Sequence, residues 1–495
     1  MASFTRRALV LGATAALGAA GGRLSTSKIP VYDGVERSGI SADPAMLNDA
    51  SLLSETPIHK HIVLTDDPGD ALIEALRSEM LAAGAQSRPF NIGAARHSMG
   101  GQAIPRNGYA ITYESDFIDP DTDAQTYRVH AGTRWSSVIA ALDEIGFSPA
   151  VMQSNNDFGI AATYSVNAHG WAVPYGPMGA TVRSLRMVLA SGDLVTASRT
   201  ENTELFNAAM GGYGLIGAIV DLDVDMVPNA NLEPTYEHMT ADAFPAALDA
   251  ALADPDINMA YGRLNVDRET FFRDALLVTY RPSTGQSNLP AASGSGALSH
   301  LSRYVYRAQL GRESMKRTRW AFETKIAPAI ASGPATRNSL INEPVVTLED
   351  RDPNRTDILH EYFVDLDRFG DFLKICREVI PASYQEFLNV TLRFVGQDDE
   401  SLLSYAPRRR IAAVMSFSQE MTARAEADMT RITQDLAGQI IGIGGAYYLP
   451  YRLHPTKAQF RAAYPRAAEF SALKREIDPR NLFRNALWDT YMVNS

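Results

Sequence analysis

A loop of small side chains around one histidine and one serine is the first place where residue types in this chain could do chemistry. Residues 91–102 read Asn-Ile-Gly-Ala-Ala-Arg-His-Ser-Met-Gly-Gly-Gln. Three glycines disfavour a helix, so the run predicts a strand that turns into a tight loop, whose bare backbone amides can approach a phosphate. We expect His97 to lie beside, or to be attached to, the group that the loop holds. The ligand-binding residues predicted here are Gly93, Ala94, Ala95, Arg96, His97, Ser98, Gly101 and Gln102.

Two later stretches, residues 155–170 and 211–217, are also rich in glycine, asparagine and small side chains. They add Asn156, Thr163, Ser165, Asn167, His169, Gly170, Gly217 and Ile219 to the predicted ligand-binding set. Some of these polar groups could instead serve only the backbone, and His169-Gly170 could simply shape a turn. The pattern does not fit a Rossmann fingerprint, because that motif places its glycines between a first strand and a helix. Here the loop follows a predicted helix and leads into another strand-like run.

Candidate catalytic residues lie about 300 positions further on. Arg393 occupies an alternating run, residues 390–395, in which Leu392 and Phe394 point away from it. A buried arginine is expensive unless an anion pairs with it, either a ligand or a structural carboxylate. The groups predicted to handle a proton are Tyr448, Tyr451, His454 and Glu361. For Glu361 the alternative is a solvated carboxylate at a strand edge.

Length and charge exclude several classes. At 495 residues the chain is too long for one core and predicts two to three domains. A net charge of −11, without a long basic run, argues against nucleic acid as a partner. His59, His61, His130, His238 and His300 have no partners at metal-ligand spacing, so no metal site is expected.

The N-terminal residues resemble an export signal. Thr5-Arg6-Arg7 precedes an apolar alanine- and glycine-rich run that is too short to span a membrane, which predicts twin-arginine export to the periplasm or the medium. A basic disordered tail is the alternative. The single cysteine, Cys376, shares a helical face with Phe369, Phe372 and Ile380, which predicts a buried structural thiol.

Hydrophobic periodicity predicts an α/β unit in the first half of the chain and a different pattern of helices and strands after it. It predicts a helix from Asp70, strands at 109–113 and 127–130, a helix at 135–144, a hairpin about Ser191-Gly192, a strand at 218–224 and a helix-like run at 460–477. Near Pro228 the chain changes to longer charged helices and isolated strands, which predicts a second domain.

At this point the sequence resembles the vanillyl-alcohol oxidase / p-cresol methylhydroxylase class of flavoproteins. Four stretches carry the resemblance, over about residues 57–490: the His97-Ser98 loop, residues 155–170, residues 211–220, and the C-terminal run from Tyr464-Pro465-Arg466 to Phe483-Arg484-Asn485. The last of these is most similar to bacterial alditol oxidases and their relatives that oxidise sugar lactones.

The resemblance implies an α+β fold: an FAD-binding part of two subdomains with an inserted α+β substrate, or cap, domain. The corresponding division is an export signal at 1–30, a linker or arm at 31–56, an FAD-binding domain at 57–230, the cap at 231–445, and a segment at 446–495 that returns to the FAD-binding domain. It also implies FAD bonded to His97 and an arginine of the catalytic site at Arg393. The partners would be a small-molecule substrate and oxygen or another electron acceptor.

The chain departs from these relatives at the substrate side. They carry a glutamate two residues before the arginine, where this chain has Thr391, and a lysine in the region of residues 446–454, where this chain has tyrosines. We therefore expect a flatter or less polar substrate than an alditol. Three hypotheses remain open: oxidation of a CH–OH group, oxidation of a phenolic or CH–NH donor, and a binding protein of the same fold without catalysis. Oxidase and dehydrogenase are not distinguished.

Overall fold

The computed structural model describes residues 43–293, 306–330, 333–344 and 352–493. The predicted export signal and residues 31–42 of the predicted arm at 31–56 lie outside these residues. The described residues combine helices with four β-sheets, which confirms the predicted α+β class. Within these ranges, no helix is both long and apolar enough to cross a membrane.

Residues 43–230 build three sheets. Their strands are β1 (Met46–Leu47), β2 (Thr56–Pro57), β3 (Lys60–Leu64), β4 (Phe90–Gly93), β5 (Tyr109–Tyr113), β6 (Ile118–Asp121), β7 (Thr126–His130), β8 (Phe147–Pro149), β9 (Val182–Val188), β10 (Leu194–Ser198) and β11 (Ala218–Pro228). β1 and β2 form an antiparallel pair, and β3, β5 and β4 form a parallel sheet in that order. The third sheet is antiparallel, in the order β10-β9-β11-β7-β6, with β8 against the far end of β11.

Four helices cover these sheets, and the apolar spacing predicts the first two of them. They are Asp70–Ala85, Trp135–Glu144, Ile160–Ser165 and Thr203–Ala209. In Asp70–Ala85 the buried residues Leu72, Leu76 and Met80 recur at helical spacing. The predicted hairpin is confirmed, because β9 pairs with β10 around Gly192, whose φ of +92° suits a glycine turn.

The remaining strands form one antiparallel sheet of eight. They are β12 (Asn231–Thr240), β13 (Met259–Leu264), β14 (Asp274–Pro282), β15 (Ala335–Thr336), β16 (Arg355–Asp365), β17 (Glu386–Val395), β18 (Arg410–Glu420) and β19 (Ala446–Tyr447), in the order β15-β12-β14-β13-β17-β18-β16-β19. The helices of this part are Phe244–Leu252, Glu313–Ala321, Ala327–Ile330, Arg337–Ile341, Phe369–Val379 and Ala423–Gly442. Cys376 is buried in Phe369–Val379, as predicted.

The C-terminal segment packs back against the first sheets. Phe90 N–H donates to the Leu482 carbonyl at 2.7 Å, and Asn485 Nδ2 donates to the Tyr213 carbonyl at 2.9 Å. The prediction of one helix-like run at 460–477 is wrong. The chain forms two helices, Lys457–Ala463 and Ala467–Ile477, because Pro465 disfavours helical backbone at Tyr464, which has φ −125° and ψ 75°.

Candidate active site

A deep cleft lies between the small-residue loops of the first sheets and one face of the eight-stranded sheet. It holds about 1460 Å³ of space free of protein atoms, part of it open to solvent. Residues 92–98, 153–169 and 213–219 supply one wall, and strands β16, β17 and β18 with residues 448–451 supply the other. The cleft therefore brings together the sequence segments that were predicted separately to bind a ligand and to do chemistry.

In the loop wall, the backbone at two glycines packs closely against neighbouring loop residues. A Cβ on Gly93 would lie 3.0 Å from the Ala103 carbonyl oxygen, and a Cβ on Gly159 would lie 2.7 Å from the Cβ of Ala94. Larger side chains at these positions would push the two loops apart. The small residues thus leave a wall of exposed main chain, which suits a long ligand lying along it.

Arg96 marks one part of this wall as a place for an anion. Its side chain is 6% exposed, and among the described residues no carboxylate forms an ion pair with it. One guanidinium nitrogen donates to Thr112 Oγ1 at 3.0 Å, while Nε is buried without a described partner. Burial, with the charge of Arg134 as a second cause, lowers the pKa of Arg96 to about 10. A buried cation in this condition gains from a negative ligand.

His97 lies next in the loop and is half-buried at the cleft. Its imidazole packs on the ring of Phe158, with the two ring centroids 4.2 Å apart. This contact orients the imidazole beside the space between the two walls. Ser98 lines the cleft after it.

Arg393 faces the cleft from β17, as the alternation of that strand predicts. Its guanidinium donates to the His169 carbonyl at 3.2 Å and to Ser154 Oγ. Both partners belong to the loop wall, so the arginine joins the two walls.

Glu361 lines the cleft from β16, which β18 separates from the strand of Arg393, and is 3% exposed. The alternative of a solvated edge carboxylate is therefore wrong, because β18 and β19 flank β16 on its two sides. His169 Nε2 forms a short hydrogen bond with Glu361 Oε1, and Tyr451 Oη donates to Glu361 Oε2 at 3.1 Å. Nδ1 of His169 is buried without a partner among the described residues.

Tyr451 and Tyr448, beside this carboxylate, both donate hydrogen bonds. Burial, followed by nearby Glu361, raises the pKa of Tyr451 well above its ordinary value. Burial likewise raises the pKa of Tyr448, whose hydroxyl donates to the Val166 carbonyl at 2.8 Å. Gln102 fixes this segment, because its side-chain amide donates to the carbonyls of Leu449 and Tyr451 at 2.7 and 2.9 Å.

Most of the predicted site residues line the cleft. They are Gly93, Ala94, Ala95, Arg96, His97, Ser98, Gln102, Thr163, Ser165, His169, Gly217 and Ile219 on the loop wall, and Glu361, Arg393, Tyr448 and Tyr451 on the other. Thr163 is partly engaged elsewhere, because its hydroxyl accepts from Trp135 Nε1 at 3.0 Å.

Five predicted residues do not line the cleft: Gly101, Asn156, Asn167, Gly170 and His454. Gly101 forms a turn at φ +73° and donates its N–H to Asp49. Asn156 donates to Asn342 Oδ1 at 2.6 Å. Gly170 packs so tightly that a Cβ there would lie 2.1 Å from the Met152 carbonyl oxygen.

Asn167 and His454 are likewise structural. Asn167, at φ +44°, accepts from the Gly179 N–H at 2.8 Å and donates to Ser401 Oγ at 2.9 Å. His454 Nε2 bonds to Glu426 Oε1 at 2.8 Å, on the far side of the segment that carries Tyr451. In both cases the side chain forms hydrogen bonds to residues distant in the sequence, which the sequence alone does not reveal.

The cleft also contains residues that the sequence analysis did not single out, among them Tyr113, Gly132, Gln153, Ser154, Phe158 and Tyr213. Ser154 and Phe158 fall in or beside the asparagine-rich stretch, so that composition was a usable signal for them. Tyr113 and Gly132 gave no signal, because they lie on or after regular strands.

Comparison with known proteins identifies the cofactor domain. Residues 72–198 match the family model of the FAD binding domain. Alditol oxidase of a Streptomyces species is 30% identical over 119 residues, which are 24% of this chain and 27% of that protein. D-arabinono-1,4-lactone oxidase of Yarrowia lipolytica is 31% identical over 112 residues, 23% of this chain and 21% of that protein.

Cytokinin dehydrogenase 7 of Oryza sativa is 30% identical over 139 residues, 27% of this chain and 26% of that protein. The chain thus spans about a quarter of the length of these curated relatives. It contains an FAD-binding domain and is related through it to these oxidases and dehydrogenases. The resemblance to this flavoprotein family, inferred above from the motifs, is confirmed.

Proposed function

We propose that the chain is an FAD-dependent oxidoreductase that oxidises a CH–OH group of a small alcohol, sugar or lactone. The observation that carries this is the cleft itself: the loop of the FAD-binding domain faces Arg393, Glu361 and Tyr451 across one continuous space. When bound, FAD supplies a hydride acceptor. The protein must then orient the substrate carbon and take up a hydroxyl proton, and a buried carboxylate bonded to a phenol can do the second.

The residues present fit FAD. Backbone held close at Gly93 and Gly159 leaves room for a long ligand, and the buried cation of Arg96 lacks a described anionic partner. A diphosphate would supply that negative charge. His97 lies next to Arg96 in the same loop, and we propose it as the point of covalent attachment.

Purification followed by acid precipitation tests both claims. We expect a yellow pellet from the wild type, and a colourless pellet from His97→Ala. His59→Ala is the matched control, since His59 is an exposed histidine of the same part of the chain. Yellow only in the supernatant would contradict covalent attachment, and no flavin in either fraction would contradict the flavoenzyme.

A second candidate function is oxidation of a phenolic or CH–NH donor. The tyrosine-rich wall favours it, since Tyr448 and Tyr451 pack edge to face with centroids 5.7 Å apart in place of the charged groups named for the alditol-oxidising relatives. Anaerobic bleaching of the flavin by polyols, lactones, phenols and amines separates the candidates. Bleaching by alditols alone would refute the argument from Thr391, and bleaching by none would favour a non-catalytic binding protein.

Export by a twin-arginine-type signal to the periplasm or the medium remains part of the proposal. It rests on residues 5–22, which combine paired arginines with a short apolar run. Fusion of residues 1–56 to a reporter that must fold before transport tests it. Replacing both arginines by lysine should keep the reporter inside the cell, and unaffected export would contradict the assignment.

A further inference from the structure

Three side chains form a continuous hydrogen-bonded chain at the bottom of the cleft. Tyr451 Oη donates to one oxygen of Glu361 at 3.1 Å, and His169 Nε2 bonds to the other. Glu361 and His169 are each 3% exposed, so water does not replace these partners. Tyr451 lies at the cleft end of the chain and is only partly buried.

Glu361 is the one carboxylate among the described residues that line the cleft. The phenols around it are poor resting bases, because burial raises the pKa of both Tyr448 and Tyr451 well above the ordinary value. Both tyrosines are therefore protonated phenols before the substrate binds. A proton taken from a substrate has to come to rest on the carboxylate.

Tyr451 is set apart from its neighbours by what its hydroxyl contacts. The hydroxyl of Tyr448 donates to the Val166 carbonyl at 2.8 Å, and that of Tyr405 donates to the Asn167 carbonyl at 2.6 Å. A peptide carbonyl does not take up a proton at neutral pH, so neither of these two phenols can pass a proton to its hydrogen-bond partner. Tyr451 alone of these three joins the cleft to a carboxylate.

We propose that Tyr451, Glu361 and His169 form a proton relay, in which Tyr451 Oη takes the substrate hydroxyl proton as its own proton passes to Glu361 Oε2. This inference rests on the proposed function. The substrate loses its O–H and C–H bonds and gains a C=O bond. The electron pair of the C–H bond leaves as hydride to the bound flavin, which is the oxidant, and the proton ends on Glu361.

His169 is the positioning residue of this relay. Its Nε2 is hydrogen-bonded to Oε1 of Glu361 and fixes the orientation of the carboxyl group, which leaves Oε2 directed at Tyr451. Its backbone carbonyl accepts from Arg393 at 3.2 Å, so the same residue also fixes the guanidinium. The ionisable groups that face Glu361 are the phenols of Tyr213, Tyr405, Tyr448, Tyr451 and Tyr464, the imidazole of His169 and, beyond Tyr451, the guanidinium of Arg393.

Rapid anaerobic mixing of the holoenzyme with xylitol, gulonolactone or vanillyl alcohol measures the relay as the rate of flavin bleaching. We expect Tyr451→Phe and Glu361→Gln each to slow bleaching by about 100-fold or more. The double variant should be no slower than the slower single variant, because both changes break one relay. Tyr405→Phe, which removes a neighbouring phenol outside the relay, should stay within about twofold.

Rescue by a conservative variant separates positioning from a merely structural role. His169→Gln, whose side-chain amide can still donate to Glu361 Oε1, should bleach the flavin about tenfold faster than His169→Leu. Equal bleaching rates in the two variants would overturn the positioning role of His169. Glu361→Gln that keeps more than about a tenth of the wild-type rate would overturn the relay.

An infrared titration of the holoenzyme gives a readout that does not depend on turnover. The carboxylic acid band that appears on acidification and is missing in Glu361→Gln reports protonation of Glu361. Its frequency should change in His169→Leu, because the carboxyl group loses one hydrogen bond, and an unmoved band would contradict the positioning role. A wild-type flavin that none of the probes bleaches, with the band behaving as expected, would contradict the proposed function and the relay but leave the hydrogen-bonded unit intact.

Discussion

The buried guanidinium of Arg96 yields a prediction in which the apoprotein and the FAD complex respond in opposite directions. Replacing Arg96 by methionine keeps most of the side-chain volume and removes the charge. If the positive charge binds the diphosphate of FAD, burying it destabilises the apoprotein and stabilises only the complex with FAD. The change should then leave the apoprotein at least as stable, while it weakens retention of FAD.

The magnitude follows from the surroundings of the side chain. Lowering the pKa of Arg96 from the ordinary value of an arginine to about 10 corresponds to about 3 kcal/mol against the charged form. The hydrogen bonds to Thr112 Oγ1 and to the Ala94 carbonyl, at 3.0 and 3.4 Å, offset this by about 1 kcal/mol each. We therefore expect Arg96→Met to change the free energy of unfolding of the apoprotein by about 1 kcal/mol in the stabilising direction.

In the complex, loss of charge-assisted hydrogen bonds to phosphate costs about 2–3 kcal/mol, which is a roughly 30- to 150-fold rise in the dissociation constant of FAD. The measurement needs FAD that can dissociate, so both proteins carry His97→Ala. Fluorescence titration of the apoprotein with FAD gives Kd, and thermal unfolding with and without FAD gives the stability of each state.

Arg337→Met is the matched control. Arg337 is 4% exposed, and burial also lowers its pKa to about 10, but it does not line the cleft. It should therefore change the stability of the apoprotein without changing the Kd for FAD. An Arg96→Met apoprotein that is destabilised by about 2 kcal/mol or more, with Kd unchanged, would refute the reasoning and make Arg96 a structural residue.

The remaining predictions concern residues that the sequence places in the site and that do not line the cleft, together with their partners and controls. Gly170→Ala should destabilise the protein by about 2 kcal/mol or more in thermal unfolding, because its Cβ would meet the Met152 carbonyl oxygen at 2.1 Å, whereas Gly370→Ala, with open space around it, should stabilise by about 0.5–1 kcal/mol. His454→Gln should lower the unfolding temperature and leave flavin bleaching within about twofold, and a selective loss of bleaching would return His454 to the site. Burial opposes ionisation of Glu426, but hydrogen bonds from His454 and Gln419 outweigh it and hold the pKa of Glu426 well below its usual range. The ionised Glu426 therefore stabilises the protein fully above about pH 4.5, and this stabilisation is lost as pH falls below that value. Glu426→Gln should flatten the acid side of a plot of unfolding free energy against pH by roughly 1 kcal/mol. An unchanged slope would contradict a stabilising role of the ionised Glu426.

Local patterns predicted the elements whose stability is local. The helix Trp135–Glu144 and the strand Tyr109–Tyr113 form within the predicted bounds, since periodicity and the burial that causes it coincide there. Arg393 was placed on the cleft by the same reasoning, because alternation decides which face of a strand a residue takes.

Predictions that depend on distant partners did less well. Tyr451 and His454 are three residues apart, yet one faces the cleft and the other bonds to Glu426 on a distant helix. Glu361 is buried only because β16 finds β18 and β19, which are far along the chain. No single-sequence pattern reports such pairings, so the roles of these side chains emerge only from the assembled sheet.

The register of that sheet relates Thr391 to the carboxylate of the cleft. Thr391 pairs with Val414, and Val414 pairs with Glu361, so the three side chains form one row across β17, β18 and β16. Neighbouring strands lie about 4.8 Å apart, so Glu361 lies roughly 10 Å from Thr391 across the sheet. Thr391 itself accepts a hydrogen bond from Arg263 at 2.8 Å.

Under the proposed function, the spacing of these two groups bears on the substrate. Arg393 and Glu361 lie on β17 and β16, which β18 separates, so a single small hydroxyl group cannot contact both. The cleft is also lined by the aliphatic side chain of Val414 and the ring of Tyr451. We therefore expect a substrate that presents an apolar or planar face to the sheet and its reacting hydroxyl to Tyr451.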